Sequence, residues 1–254
     1  MIVLLSPAKT LDYSASTLGT HTEPRLLKDS SKLIKVLKKK TPSAIKTLMK
    51  VSDNIANLNV ERFQQFATPF TMTNAKQSVL AFKGDVYQGL EADTFDEADY
   101  EFAQAHLRIL SGLYGILRPM DLMQPYRLEM GTKLQNGSFK NLYEFWGNRI
   151  TKLINADLEA TEGESIINLA SKEYFRSVKT DKLKGNLIHI HFREKRGDKY
   201  KVIAFNAKKA RGAMAKQIVK YKIVDPEHLK SLEINGYVFN ERMTDDSNYT
   251  FIKE

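Results

Sequence analysis

The segment from Leu110 to Gly131 restricts the fold more than any other part of the chain. It carries Gly112, Gly115, Pro119, Pro125 and Gly131, so turns must dominate it, yet Leu113, Ile116 and Leu117 in the same stretch need burial. One long regular element across it is excluded, and function often sits on segments of this kind.

On either side the hydrophobic period switches between strand and helix. Ile2 to Leu5 is an apolar run that stops at Ser6-Pro7, the pattern of a buried strand whose following loop is Ser6-Pro7-Ala8-Lys9-Thr10. Pro24 to Lys40 has helical spacing and ends in Lys38, Lys39 and Lys40; Thr41-Pro42 caps a second helix, and Ser52 to Phe66 reads as a third. Gln77 to Phe82 has strand bias, Asp96 to Leu110 and Asn141 to Leu158 return to the helical period, and Ser165 to Leu169, Leu187 to Phe192 and Tyr200 to Phe205 read as strands. Ala207 to Tyr221 is an amphipathic helix, followed by a short helix after Pro226 and strands at Tyr237 to Phe239 and Tyr249 to Ile252.

No internal repeat or Gly/Ser/Pro-rich linker interrupts the 254 residues, of which 42% are hydrophobic and 27% charged. The expected fold is α+β: one domain over residues 1–254, with a central mixed sheet surrounded by helices. No window approaches the roughly 18 consecutive apolar residues of a membrane span, and no leader pattern opens the chain, so a cytoplasmic protein with no membrane partner is expected. The absence of cysteine excludes disulfides, thiolate nucleophiles and sulfur-ligated metal. An excess of 39 Lys and Arg over 30 Asp and Glu leaves a formal +9, which attracts polyanions if clustered and only aids solubility if spread.

Several segments resemble the signatures of the YaaA peroxide-stress family: Ser6-Pro7-Ala8-Lys9-Thr10-Leu11-Asp12, Phe82-Lys83-Gly84-Asp85-Val86-Tyr87, Leu110 to Gly115 leading to Leu117-Arg118-Pro119, and Pro125 to Met130. Asn168-Leu169-Ala170, Glu173-Tyr174-Phe175 and Ala207 to Gly212 complete the set, while the last forty or so residues carry no recognisable family motif. The resemblance implies a cytosolic protein of the bacterial peroxide-stress response that limits unincorporated iron and so spares DNA and proteins from hydroxyl-radical damage. It also implies binding of double-stranded DNA through a positively charged cleft and a helix-hairpin-helix-like element on an unusual α+β fold.

A helix-hairpin-helix holds phosphate on backbone N–H groups of a glycine-containing hairpin and on the next helix N-terminus. Residues 96–119, with Gly112 and Gly115, are the candidate segment, although both Leu113 and Tyr114 stand between the glycines; the competing reading is a structural turn that packs Leu113 and Ile116. Lys208, Lys209 and Arg211 cover a wide arc of one helical turn and suit phosphate contact, the alternative being a solvated helix face. Lys9, Lys83, Arg118 and Arg127 join them as DNA-contact candidates.

A second function, of a different class, reads the loops as a pocket. Ser6 to Asp12, Phe82 to Tyr87 and Leu110 to Arg127 can meet at a sheet edge and enclose a nucleotide-like small molecule, making the chain an enzyme or sensor. Ser6, Lys9, Asp85 and Asp121 are the catalytic candidates there, Asp85 or Asp121 as a base; the alternative is that the aspartates cap turns. His189 and His191, two apart on a strand, supply an incomplete metal site, so neither metal nor cofactor is expected.

Overall fold

The computed structural model describes residues 1–16 and 18–254. Its strands are β1 (Ile2–Leu5), β2 (Thr10–Leu11), β3 (Lys76–Gln77), β4 (Phe82–Lys83), β5 (Leu107–Ser111), β6 (Gly115–Leu117), β7 (Leu122–Met123), β8 (Ser165–Asn168), β9 (Asn186–Arg196), β10 (Lys199–Lys201), β11 (Val238–Phe239) and β12 (Asn248–Lys253). The α-helices are α1 (Leu27–Leu37), α2 (Pro42–Met49), α3 (Asp53–Gln65), α4 (Ser78–Ala81), α5 (Asp85–Leu90), α6 (Glu97–His106), α7 (Leu142–Trp146), α8 (Arg149–Ala160), α9 (Lys172–Phe175) and α10 (Ala204–Lys220).

The apolar run at the start becomes the middle of an eight-stranded sheet in the order β11-β12-β9-β8-β1-β5-β6, with β10 added to β9. β1 runs parallel to both β5 and β8, β9 runs parallel to β8 and β12, and β6, β10 and β11 attach antiparallel. β1 is continuous in hydrophobicity because both its faces are covered, as strands inside a parallel sheet require. Arg108, which shares a face with Leu4 and Asn168 by register, meets Asp157 of α8. Glu194 of β9 points to the other face and accepts a hydrogen bond from Asn206 of α10. Helices thus cover both faces, around one contiguous apolar cluster that includes Trp146, Tyr114, Phe63 and Phe251.

Local chemistry explains the helix starts. Thr41 accepts a hydrogen bond from the N–H of Ala44 ahead of Pro42, Ser52 does the same for Ile55, and Asp96 and Asp99 form a reciprocal capping pair at α6.

The structure departs from the sequence expectation in four places. Residues 78–81 form one helical turn instead of strand, because the N–H groups of Ser78 and Val79 donate to the carbonyls of Asp121 and Pro119. The helix expected to reach Leu110 stops at His106, and Leu107–Ser111 is taken up by pairing with β1. The long helix expected from Asn141 is two, broken at Gly147, whose φ is +51°. Tyr200 to Phe205 is strand only to Lys201, since α10 begins at Ala204.

The second departure also replaces the helix-hairpin-helix-like element expected over residues 96–119. A helix is present on the first side only; β5 and β6 form an antiparallel hairpin after it, with Ser111 opposite Gly115. Gly115, at φ +73°, makes the turn, and Leu113 and Tyr114 pack inward.

Candidate functional site

Three loops meet beyond the carboxyl ends of β1 and β8, where open α/β sheets place their ligands. Proline stops β1, and the chain turns into β2, which pairs with β4 so that Thr10 lies opposite Lys83. This pairing carries Lys9 and Lys83 to the same edge. The loop after β8 joins them through Ser6, whose Oγ accepts a hydrogen bond from the N–H of Ser171 at 2.9 Å, and Tyr87 donates to the Ser6 carbonyl at 3.1 Å.

The outer wall is α10, held against α5 at two glycines. A Cβ on Gly89 would stand 2.1 Å from the carbonyl oxygen of Lys209, and one on Gly212 would stand 1.7 Å from that of Val86. The helices therefore touch backbone to backbone, which sets Lys208 beside Asp85 at 3.5 Å and turns Arg211 into the same space.

These elements enclose a cavity of about 440 Å³. Ser6, Lys9, Lys83, Asp85, Lys208 and Arg211, taken from three distant segments, all line it. Glu129, Ser171, Glu173 and Tyr174 line it as well; nothing in the sequence marks them as site residues, although Glu129, Glu173 and Tyr174 stand inside the shared motifs. The pocket is thus built partly from other segments than expected. The Leu110 to Arg127 stretch is mostly buried in the core and does not line this cavity; Tyr126 and Arg127 line an adjoining crevice, and Gln124 and Pro125 line a different one.

Most cations at the edge are matched. Lys9 pairs with Glu129 at 2.9 Å, and Glu129 also meets Arg127 at 3.4 Å. Lys83 pairs with Asp12 at 3.1 Å. Hydrogen bonds from the Ser14 side chain and N–H, with the Lys83 ammonium, hold the Asp12 carboxyl well below its usual range. Arg211 differs: among the described residues it has no carboxylate partner, its buried Nε has no hydrogen-bond acceptor, and burial pulls its pKa down. Burial likewise pushes the Tyr174 and Tyr87 phenols far up, so both remain protonated donors.

The remaining candidates lie elsewhere. Asp121 is fully buried and accepts hydrogen bonds from Thr22, from the Arg118 N–H and from the Arg118 guanidinium. It is a structural anchor with no access to a reacting molecule, and Arg118 is spent on it. Gly112 and Gly115 are buried: a Cβ on Gly112 would meet the Leu128 carbonyl at 2.1 Å, and Gly115 packs under Trp146. Lys209 is exposed on α10, outside the cavity lining. His189 and His191 share a face with ring centroids 6.4 Å apart, and each is hydrogen-bonded to an asparagine, Asn168 and Asn248. Among the described residues no helix is long and apolar enough to cross a membrane.

Comparison with known proteins agrees with the shared motifs. Two UPF0246 proteins of Aliivibrio fischeri, from strains MJ11 and ATCC 700601 / ES114, are each 50% identical to this chain over 255 residues, covering 100% of it and 98% of their own length. The likeness includes the carboxyl-terminal segment that carries no recognisable motif. The family model described as "Peroxide stress protein YaaA" matches residues 1–243, and the chain belongs to that family.

Proposed function

We propose that this protein serves the peroxide stress response by binding double-stranded DNA, largely without regard to sequence, and thereby limits iron-mediated damage to DNA and proteins. What supports the reading beyond family membership is one feature: the tip of the β9–β10 hairpin. Lys195, Arg196, Lys199 and Lys201 are all exposed there. The hairpin is tied to the start of α10 through Asn206 and Glu194, so Lys208 and Lys209 belong to the same cationic rim. Lys199, Lys201 and Lys209 have no ion-pair partner among the described residues, and are available to phosphate.

Cations on a hairpin and on one helical turn neutralise phosphates; they do not read base edges, which accounts for the low specificity. Binding of this kind releases the duplex's condensed counterions. Divalent iron held at the backbone would leave with them, moving hydroxyl-radical production away from DNA. The test is nicking of a supercoiled plasmid by Fe(II) and peroxide. The protein should protect, and the Lys199→Ala/Lys201→Ala/Lys209→Ala variant should not; equal protection by both rejects the reading.

A further inference from the structure

The cavity beside that rim has the dimensions of a small-molecule site, since such sites run from about 300 to 1,000 Å³. Its walls are of opposite chemical character. On one side Lys208 and Arg211 stand a helical turn apart, and Arg211 presents a largely desolvated guanidinium with no acceptor on Nε. A planar fork of donors in that state is made for an oxyanion, phosphate above all. On the other side Glu129 and Glu173 present carboxylates, which accept hydrogen bonds from amino or hydroxyl groups and repel further negative charge. Tyr174, close to Glu129 and Glu173, adds a flat and mostly apolar surface to the lining.

A bare oxyanion would satisfy the first wall and use none of the acceptor positions left on the second, where Glu129 already takes Lys9 and Arg127 and Glu173 takes the N–H of Gly131. A second phosphate directed at that wall would be repelled, so the cavity has room for one phosphate group, on the first wall. From this polarity we propose that the cavity binds one nucleoside 5′-monophosphate unit, its phosphate on Arg211 and Lys208 and its sugar hydroxyls or base amino group toward Glu129 and Glu173. The same unit exists as a free mononucleotide and as the 5′-phosphorylated end of a strand. This site adjoins the hairpin rim and shares Lys208 with it, whereas Lys199, Lys201 and Lys209 lie outside its lining.

Titration calorimetry with the full chain tests it, using the four ribonucleoside 5′-monophosphates, the corresponding nucleosides, inorganic phosphate and a 5′-phosphorylated single-stranded tetranucleotide. At least one monophosphate should bind at least tenfold more tightly than its nucleoside or inorganic phosphate; binding of the tetranucleotide alone supports the unit and assigns its source to strand ends. Arg211→Gln and the exposed Lys208→Ala should each weaken that binding about tenfold. The second variant guards against a folding defect in the first. The Lys199→Ala/Lys201→Ala/Lys209→Ala variant should keep nucleotide binding whatever happens to duplex binding. No binding, inorganic phosphate matching the nucleotides, or affinity unchanged in both Arg211→Gln and Lys208→Ala overturns the proposal.

Discussion

Gly212 lies so close to the carbonyl of Val86 that a methyl group at position 212 would stand 1.7 Å from that oxygen. The contact is what allows α10 to lie on α5, and it sets the distance between Lys208 and Asp85 across the candidate site. Gly212→Ala cannot be absorbed by a side-chain rotation, because the obstructing atom is backbone. The variant should lose at least about 2 kcal/mol of stability, the usual scale of overpacking, and melt several degrees lower. A melting temperature within a degree of the parent would show that the helices separate freely.

A second expectation concerns the ion cluster under the sheet. Asp157 takes Arg108 Nε at 2.6 Å and Arg25 at 2.6 Å, and Arg108 is almost wholly buried. Asp157→Ala leaves that guanidinium buried without its counter-charge and should cost about 3–5 kcal/mol in chemical denaturation. Lys208→Ala, which removes an exposed pair with Asp85, should change stability by less than about 1 kcal/mol.

Acid should act through Asp99. Its desolvation pushes the pKa up, but the Lys220 and Lys222 ammonium groups outweigh this and bring it from 3.8 down to about 2. The folded state therefore binds this proton less readily than the unfolded chain. The resulting stabilisation is complete above about pH 4 and is lost as pH falls toward 2. Asp99→Asn should be less stable than the parent at neutral pH, with the gap closing across that window in urea titrations.

Duplex affinity should fall linearly with the logarithm of salt concentration, with a slope of about −0.9 for each phosphate neutralised. Lys199→Ala/Lys201→Ala should flatten that slope by about 2 while leaving sequence preference unchanged. Fluorescence anisotropy over a salt series measures it, and a slope unaltered by the double substitution places the contacts elsewhere.

Elements whose signals are local were legible in the chain. The run Ile2–Leu5 with its proline, the Thr41-Pro42 start of α2 and the apolar stripe of α10 each sit where their chemistry puts them. The misread segments are those whose partners are distant. Leu107–Ser111 continues a helical period, but pairing with Ile2–Leu5 outweighs that preference, and Ser78–Ala81 curls because its N–H groups find carbonyls in the 119–121 turn.

The same holds for the site. Ser6, Lys9, Lys83, Asp85, Lys208 and Arg211 stood out as charged or polar groups in loop or helix-start motifs, and the fold gathers them. Asp121 looked alike in sequence, yet only the tertiary structure reveals that Thr22 and Arg118 consume it. Glu129 and Glu173 carried no signal of their own, since a carboxylate beside an arginine or an aromatic residue is an ordinary surface pairing until its neighbours are known.

The placement of β1 has a kinetic side. Its two partner strands begin at residues 107 and 165, so the centre of the sheet cannot assemble until segments far apart along the chain have closed large loops. The backbone hydrogen bonds of α1 to α3 and the packing of α2 on α3 are local in sequence, so these helices are free to form first. Refolding from denaturant should therefore be limited by late closure of the sheet, on the slow millisecond-to-second scale of non-local topologies, with helical signal recovering before the tryptophan environment does.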